Sequence, residues 1–177
     1  MKLVRFGPRG SEKPGLVDAD GRIRDLSDLV VDVAGSTLSP ETLARLAEVD
    51  PTVLPLVAED VRLGACVGKV GKFVAIGLNY ADHAAEAGMA IPTEPIVFMK
   101  ATSCLNGPND DVVMPRGSTR MDWEVELGVV IGSECAYVSE DEALAHVAGY
   151  CVVNDVSERD FQLARGGTWD KGKGCDT

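Results

Sequence analysis

The sequence predicts an α+β chain that is mainly β and opens with a small α+β region. Three observations support this. Met121 to Ile131 alternates apolar and polar residues with a period of two, the signature of a strand with two unlike faces. Lys72–Ile76, Pro95–Lys100 and Gly149–Asn154 are short apolar runs bounded by Gly, Pro, Asn or Asp, as strands between turns are. Helix start signals are few; the clearest follow Ser39 and Ser139.

In chain order, Lys2–Phe6 reads as a strand, and Gly15–Arg24 as a hairpin turning at Asp20-Gly21. Ser39-Pro40-Glu41 places an N-cap serine, a proline at the first helical position and an acid in the first turn. Three glycines between Gly64 and Gly71 precede a new strand. The expected division is therefore a small N-terminal domain over 1–67 and a second, chemistry-bearing domain over 68–177. Beyond it come a helical turn from Asn79 or Tyr80 to Gly88, a strand to Lys100, a polar loop Thr102–Asp111 and a strand Val112–Met114. Ser139 with Glu142 forms a capping box for a helix Glu140–Val147. The glycine-rich tail from Arg165 shows no terminating element.

Composition narrows the function classes. With 177 residues, 45% of them hydrophobic, the chain can bury a core. A formal charge of -11 repels nucleic acid and anionic membranes, so the expected partner is a small molecule. The five cysteines are widely spaced with no Cys-x-x-Cys, which predicts reduced thiols in a cytoplasmic protein, not a disulfide framework or zinc knuckle. The N-terminus lacks the apolar stretch of a signal peptide.

On the strand Met121–Ile131, Asp122, Glu124 and Glu126 share one face, with successive side chains roughly 6.6 Å apart. Carboxylates in such a row repel unless paired. Two readings stay open: an exposed acidic edge that discourages aggregation, or oxygen ligands for a hard divalent cation. Asp155, at the end of the apolar run Gly149–Asn154, could join Glu124 and Glu126 as a third ligand or simply cap the next turn. An oxygen-only set suits Mg²⁺, with Mn²⁺ or Ca²⁺ as alternatives, and argues against zinc. His83 and Glu86 stand three apart on a helical turn, where a carboxylate can orient an imidazole and strengthen it as a base. His146 reads as structural or surface. Lys100, Arg159, Gln162 and Lys173 offer donors to anionic oxygen, though each alone also reads as solvated surface. No phosphate-loop or dinucleotide glycine pattern is present.

Taken in order, Ala75-Ile-Gly-Leu-Asn-Tyr-Ala-Asp-His-Ala-Ala-Glu86, Phe98-Met-Lys100, Glu124-Val-Glu126, Asn154-Asp-Val-Ser-Glu-Arg-Asp160 and Lys173-Gly-Cys-Asp-Thr177 resemble the motifs of the fumarylacetoacetate hydrolase family, near its 2,4-diketo-3-deoxy-sugar-acid hydrolase and acylpyruvase branch. The resemblance implies a mixed β-sandwich roll behind a small α+β N-terminal domain, and a homodimer. It implies that Glu124, Glu126 and Asp155 bind Mg²⁺, and that His83 and Glu86 activate water on a segment that orders over ligand. Arg159, Gln162 and Lys173 would line the substrate, with Lys100 beside them and Lys173 assisting catalysis. The expected reaction is hydrolysis of a C–C bond in a 2,4-dioxo acid to pyruvate and a second acid. An isomerase, tautomerase or decarboxylase of related dioxo acids is the alternative. Family members continue for several strands past the point matching Thr177, so the sequence is expected to be the N-terminal part of such a protein, and an inactive fragment is a further alternative.

Overall fold

A computed structural model describes residues 1–175. The Asp176-Thr177 end of the last family motif lies outside the described residues. The elements are β1 (Leu3–Phe6), β2 (Lys13–Val17), β3 (Ile23–Asp25), α1 (Pro40–Ala47), β4 (Val74–Gly77), α2 (Ala81–Glu86), β5 (Ile96–Met99), β6 (Met121–Asp122), β7 (Val125–Ile131), α3 (Glu140–Ala143), β8 (Val147–Asn154), β9 (Ser157–Glu158), α4 (Arg159–Leu163) and α5 (Asp170–Lys173). More of the chain is strand than helix, in line with the predicted class. Among the described residues, no helix is long and apolar enough to cross a membrane.

The chain forms two compact units, and neither is continuous in sequence. The first takes Met1–Val70, Asn106–Asp111 and Val125–Val153. Its antiparallel sheet β1-β2-β3 pairs Leu3 with Leu16 and Leu16 with Arg24. The hairpin turns as the sequence predicts: Gly21 takes a left-handed φ of 81°, open to glycine without steric strain. The Asp18 carboxylate accepts from the backbone N–H groups of Asp20 and Arg22. α1 starts where expected, with the Ser39 hydroxyl accepting from Thr42 N at 3.2 Å. Leu16, Leu26 and Leu46 are buried together, with Leu3, Val30 and Leu54 packed around them.

An ion network closes this unit. Arg62 donates to Asp110 Oδ1 at 2.8 Å and to Glu12 Oε1 at 2.9 Å. The Arg62 guanidinium, with help from the Gly107 N–H, holds the Asp110 carboxyl down at about 2, against burial that pushes it up. A carboxyl depressed on folding stabilises the fold above its ordinary value, near 3.8, and loses that contribution as pH falls through about 2. The melting temperature of the native chain should therefore fall steeply across that window, and that of Asp110→Asn should fall less steeply from a lower starting value.

β7 and β8 pair in the same unit. The Gly128 backbone accommodates Cys151, whose Sγ would lie 2.6 Å from a Cβ added there. The side-chain alternation of β7 is as predicted, but its apolar residues Val125, Leu127, Val129 and Ile131 are the exposed ones, while Glu126 is half-buried. Burial pushes the Cys151 thiol up to about 11, and the adjoining Cys66 thiol adds to this. Thiolate is the reactive form, so iodoacetamide at neutral pH should label exposed Cys135 well before Cys151, as read by peptide mass spectrometry.

The second unit takes Gly71–Leu105, Val112–Glu124 and the chain from Asn154 onward. β4 and β5 pair antiparallel, with Ala75 opposite Phe98, and β6 pairs with β9, with Asp122 opposite Ser157. Its interior differs in kind from that of the first unit. Ala84 is buried, but beside it so are Lys100, Asp155, Ser157, Glu158, Gln162 and Lys173. Burying this many polar groups is unfavourable unless they satisfy one another.

Several local expectations change. Met121–Ile131 is two strands, not one: Trp123 N donates to the Asp122 side chain and Glu124 N to Asn154 Oδ1, which takes both donors out of the ladder. Val112–Met114 is not a strand; it is exposed and runs into Pro115, which cannot donate to a ladder. The helix after Ser139 is shorter than expected. Glu142 does accept from Ser139, but Leu144–His146 tightens into a 3₁₀ turn and His146 O accepts from Gly132 N, leading the chain into β8. The Nδ1 of His146 bonds Ser133 Oγ at 2.8 Å, a structural role as read. The glycine-rich tail, read as showing no terminating element, contains the short helix α5.

Candidate active site

The polar interior of the second unit is one connected cluster. β9 and the residues before it place Asp155, Ser157 and Glu158 side by side, and the backbone of Asp155 donates to Glu124 O at 2.8 Å. Two predicted ligands, Glu124 and Asp155, thus meet. The Lys173 ammonium sits between them, 2.8 Å from each Glu124 oxygen and 2.9 Å from Asp155 Oδ2. The Lys100 ammonium bonds the other Asp155 oxygen and the Lys173 carbonyl, and reaches Val156 O at 3.2 Å. Ser157 Oγ donates to Asp155 O at 2.9 Å and lies 3.4 Å from Glu124 Oε1.

A second layer aims Arg159 at this centre. Its guanidinium contacts Glu124 Oε1 at 2.6 Å and Asp122 Oδ2 at 2.7 Å, and donates to Gln162 Oε1 at 3.0 Å. Arg159 holds the Asp122 carboxyl below its ordinary value, with burial opposing. Burial works against the charge on Arg159, but Asp122 and Glu124 outweigh it and raise its pKa.

Glu158, which the sequence reading did not single out, anchors both sides of this layer. It is wholly buried. Its carboxylate accepts from Arg120 N and Phe161 N, each at 2.7 Å, and from Thr119 N at 3.4 Å. It thus fixes the loop leading into β6 and caps α4, which carries Arg159 and Gln162. Burial pushes its carboxyl up, but the N–H groups of Phe161, Arg120 and Thr119 bring it below the usual range. The only sequence signal for it was a charged residue inside a dense polar cluster after an apolar run.

Phe98 and Trp169 meet edge to face at 5.6 Å, and the Lys173 ammonium lies 5.4 Å from the Phe98 ring centroid. Phe98 also lines a cleft of about 340 Å³ between β5 and Thr168–Asp170. The lining of this cleft includes none of the charged cluster, so the site is placed on the cluster and not in the cleft.

The other predicted residues are placed differently. Glu126 belongs to the first unit. Among the described residues, no group of three or more His, Cys, Asp or Glu side chains converges as metal ligands. α2 carries His83 and Glu86 exposed and one turn apart, and among the described residues no hydrogen bond joins their side chains to each other or to the cluster.

The buried charges of the second unit therefore pair with one another: Lys100 and Lys173 with Asp155, Lys173 and Arg159 with Glu124. The chain belongs to the fumarylacetoacetate hydrolase family: the profile of the fumarylacetoacetate hydrolase C-terminal domain matches residues 72–177. A provisionally named hydrolase of Burkholderia ambifaria (strain MC40-6) is 66% identical over 177 residues, as is one of Burkholderia multivorans. The chain spans 63% of the length of these relatives. Among solved structures, a fumarylacetoacetate hydrolase from psychrophilic Exiguobacterium antarcticum superposes with a TM-score of 0.77 at 32% identity, covering 99% of this chain and 62% of that one. A 5-carboxymethyl-2-hydroxymuconate delta-isomerase from Mycobacterium smegmatis gives 0.70 at 28%, covering 100% and 62%.

Proposed function

We propose that the cluster around Glu124 and Asp155 is the centre of a Mg²⁺-dependent hydrolase that cleaves the C–C bond of a 2,4-dioxo acid to pyruvate and a second acid. The observation that carries this reading is the convergence of three carboxylate oxygens, from Glu124 and Asp155, on one cationic centre within 2.9 Å. That donor set fits a hard divalent cation, because it is all oxygen and already holds a positive charge. Mg²⁺ bound there, or Mn²⁺ or Ca²⁺, would supply Lewis-acid polarisation of the substrate's carboxylate and 2-oxo group. No role is assigned to Glu126.

The chain's own residues supply the remaining steps. Arg159 and Gln162 present donors that orient the acid. An imidazole nitrogen of His83 takes a proton from water, with Glu86 one turn away to orient the ring. The water oxygen bonds to the distal carbonyl carbon, and the bond from that carbon to C3 breaks. The electron pair leaves with the pyruvate fragment as an enolate, whose charge Lys100 and Lys173 offset. Protonation at C3 gives pyruvate. A homodimer and a cytoplasmic setting are part of the same proposal.

Pyruvate release from an acylpyruvate, coupled to lactate dehydrogenase, tests the reading. Glu124→Ala should lose activity by about 10²-fold or more, consistent with the loss of a principal electrostatic contact. Full activity in that variant with metal removed would contradict it. A second reading, enolisation without hydrolysis, is favoured by the exposure of His83 and by the absence, among the described residues, of a hydrogen bond from its ring to the cluster. In that case His83→Ala would leave tautomerisation intact and pyruvate would not form.

A further inference from the structure

We propose that Lys173 is a resident cation of this site, exchanged for the divalent metal when the metal binds. The inference rests on the proposed metal role of Glu124 and Asp155. The Lys173 ammonium is 3% exposed. It engages both Glu124 oxygens and Asp155 Oδ2 at 2.8–2.9 Å, the same oxygens a divalent ion would take at roughly 2.0–2.6 Å. Glu124 Oε1 already takes Arg159 at 2.6 Å beside Lys173, so a divalent ion would be a third cation on that oxygen.

The charges around the centre already balance. Asp122, Glu124 and Asp155 face Lys100, Lys173 and Arg159. A divalent ion entering beside all three cations would leave the centre with two uncompensated positive charges, and moving Lys173 away would lower that excess. The short helix α5 that carries Lys173 is bracketed by Gly166 and Gly167, with φ of 96° and 85°, and by Gly174 as its C-cap. Its ammonium, once released from Glu124 and Asp155, would be free to pair with an anionic oxygen of the acid. Lys173 would thus compensate the carboxylates before metal binds and the substrate afterwards, so metal and acid would bind with positive coupling.

Calorimetric titration of the 177-residue chain with Mg²⁺ tests this. Lys173→Met should bind Mg²⁺ about tenfold more tightly than the native chain, and Lys173→Arg, which keeps the charge, within about twofold of it. Equal or weaker binding by Lys173→Met would overturn the exchange while leaving the metal reading intact. Failure of every chain to bind Mg²⁺ would overturn the metal reading and the exchange with it. Acetylation of the native protein, followed by peptide mass spectrometry, needs no variant. Lys173 should be protected in EDTA and labelled with Mg²⁺ present; labelling that Mg²⁺ leaves unchanged, under conditions where Mg²⁺ binds, would also overturn the exchange.

Discussion

Asp155→Ala should destabilise the protein by about 3–5 kcal/mol, the usual result of removing one partner from a buried ion pair. Asp155 is the acceptor shared by two ammonium groups, Lys100 on one oxygen and Lys173 on the other. All three residues are at least nine-tenths buried. Without the carboxylate, Lys100 keeps the carbonyls of Val156 and Lys173, and Lys173 keeps Glu124, but the interior is left with an excess positive charge. Urea unfolding at neutral pH measures the loss. Asp155→Asn retains the shape and a weaker acceptor, so it should fall between the alanine variant and the native chain. A loss below about 1 kcal/mol for alanine would mean that the pair behaves as a solvated surface bridge.

Gly172→Ala should produce the second large effect. A Cβ at this position would lie 2.4 Å from Glu158 O and 2.5 Å from Gln162 N. Both are backbone atoms and cannot rotate away, so α5 must shift off α4. Overpacking of this kind costs about 1–3 kcal/mol. The shift also moves Lys173, the next residue, relative to Glu124 and Asp155, so activity should fall further than stability alone predicts. Gly149→Ala is the matched control: nothing lies within 4 Å of its Cβ position. Its melting temperature should stay within a degree or two of the native value. Equal melting temperatures for the two variants would contradict the packing of α5 on α4.

Local chemistry explains which features were legible in the sequence. Ser39-Pro40 and Asp20-Gly21 fix backbone conformation through their own side chains or lack of one, so the start of α1 and the hairpin could be read directly. Glu124 and Asp155 could be paired because one lies on an acidic strand face and the other ends an apolar run. The break at Trp123 could not be read, because it depends on Asn154, a side chain 30 residues away that takes the Glu124 N–H. Nor could the burial of Lys100 and Lys173, since a lysine reads as surface until its carboxylate partner is known. α5 is only four residues among glycines, held by contacts with α4 and not by its own propensity. The His83–Glu86 spacing correctly put both on one turn, but spacing says nothing about what that turn faces.

The account depends on Glu124 and Asp155 forming one cation site. Electron paramagnetic resonance of Mn²⁺ titrated into the native chain and into Glu124→Ala measures this most directly. The account predicts one tightly bound Mn²⁺ per native chain and its loss in the variant. Equal Mn²⁺ binding by the two proteins would contradict it.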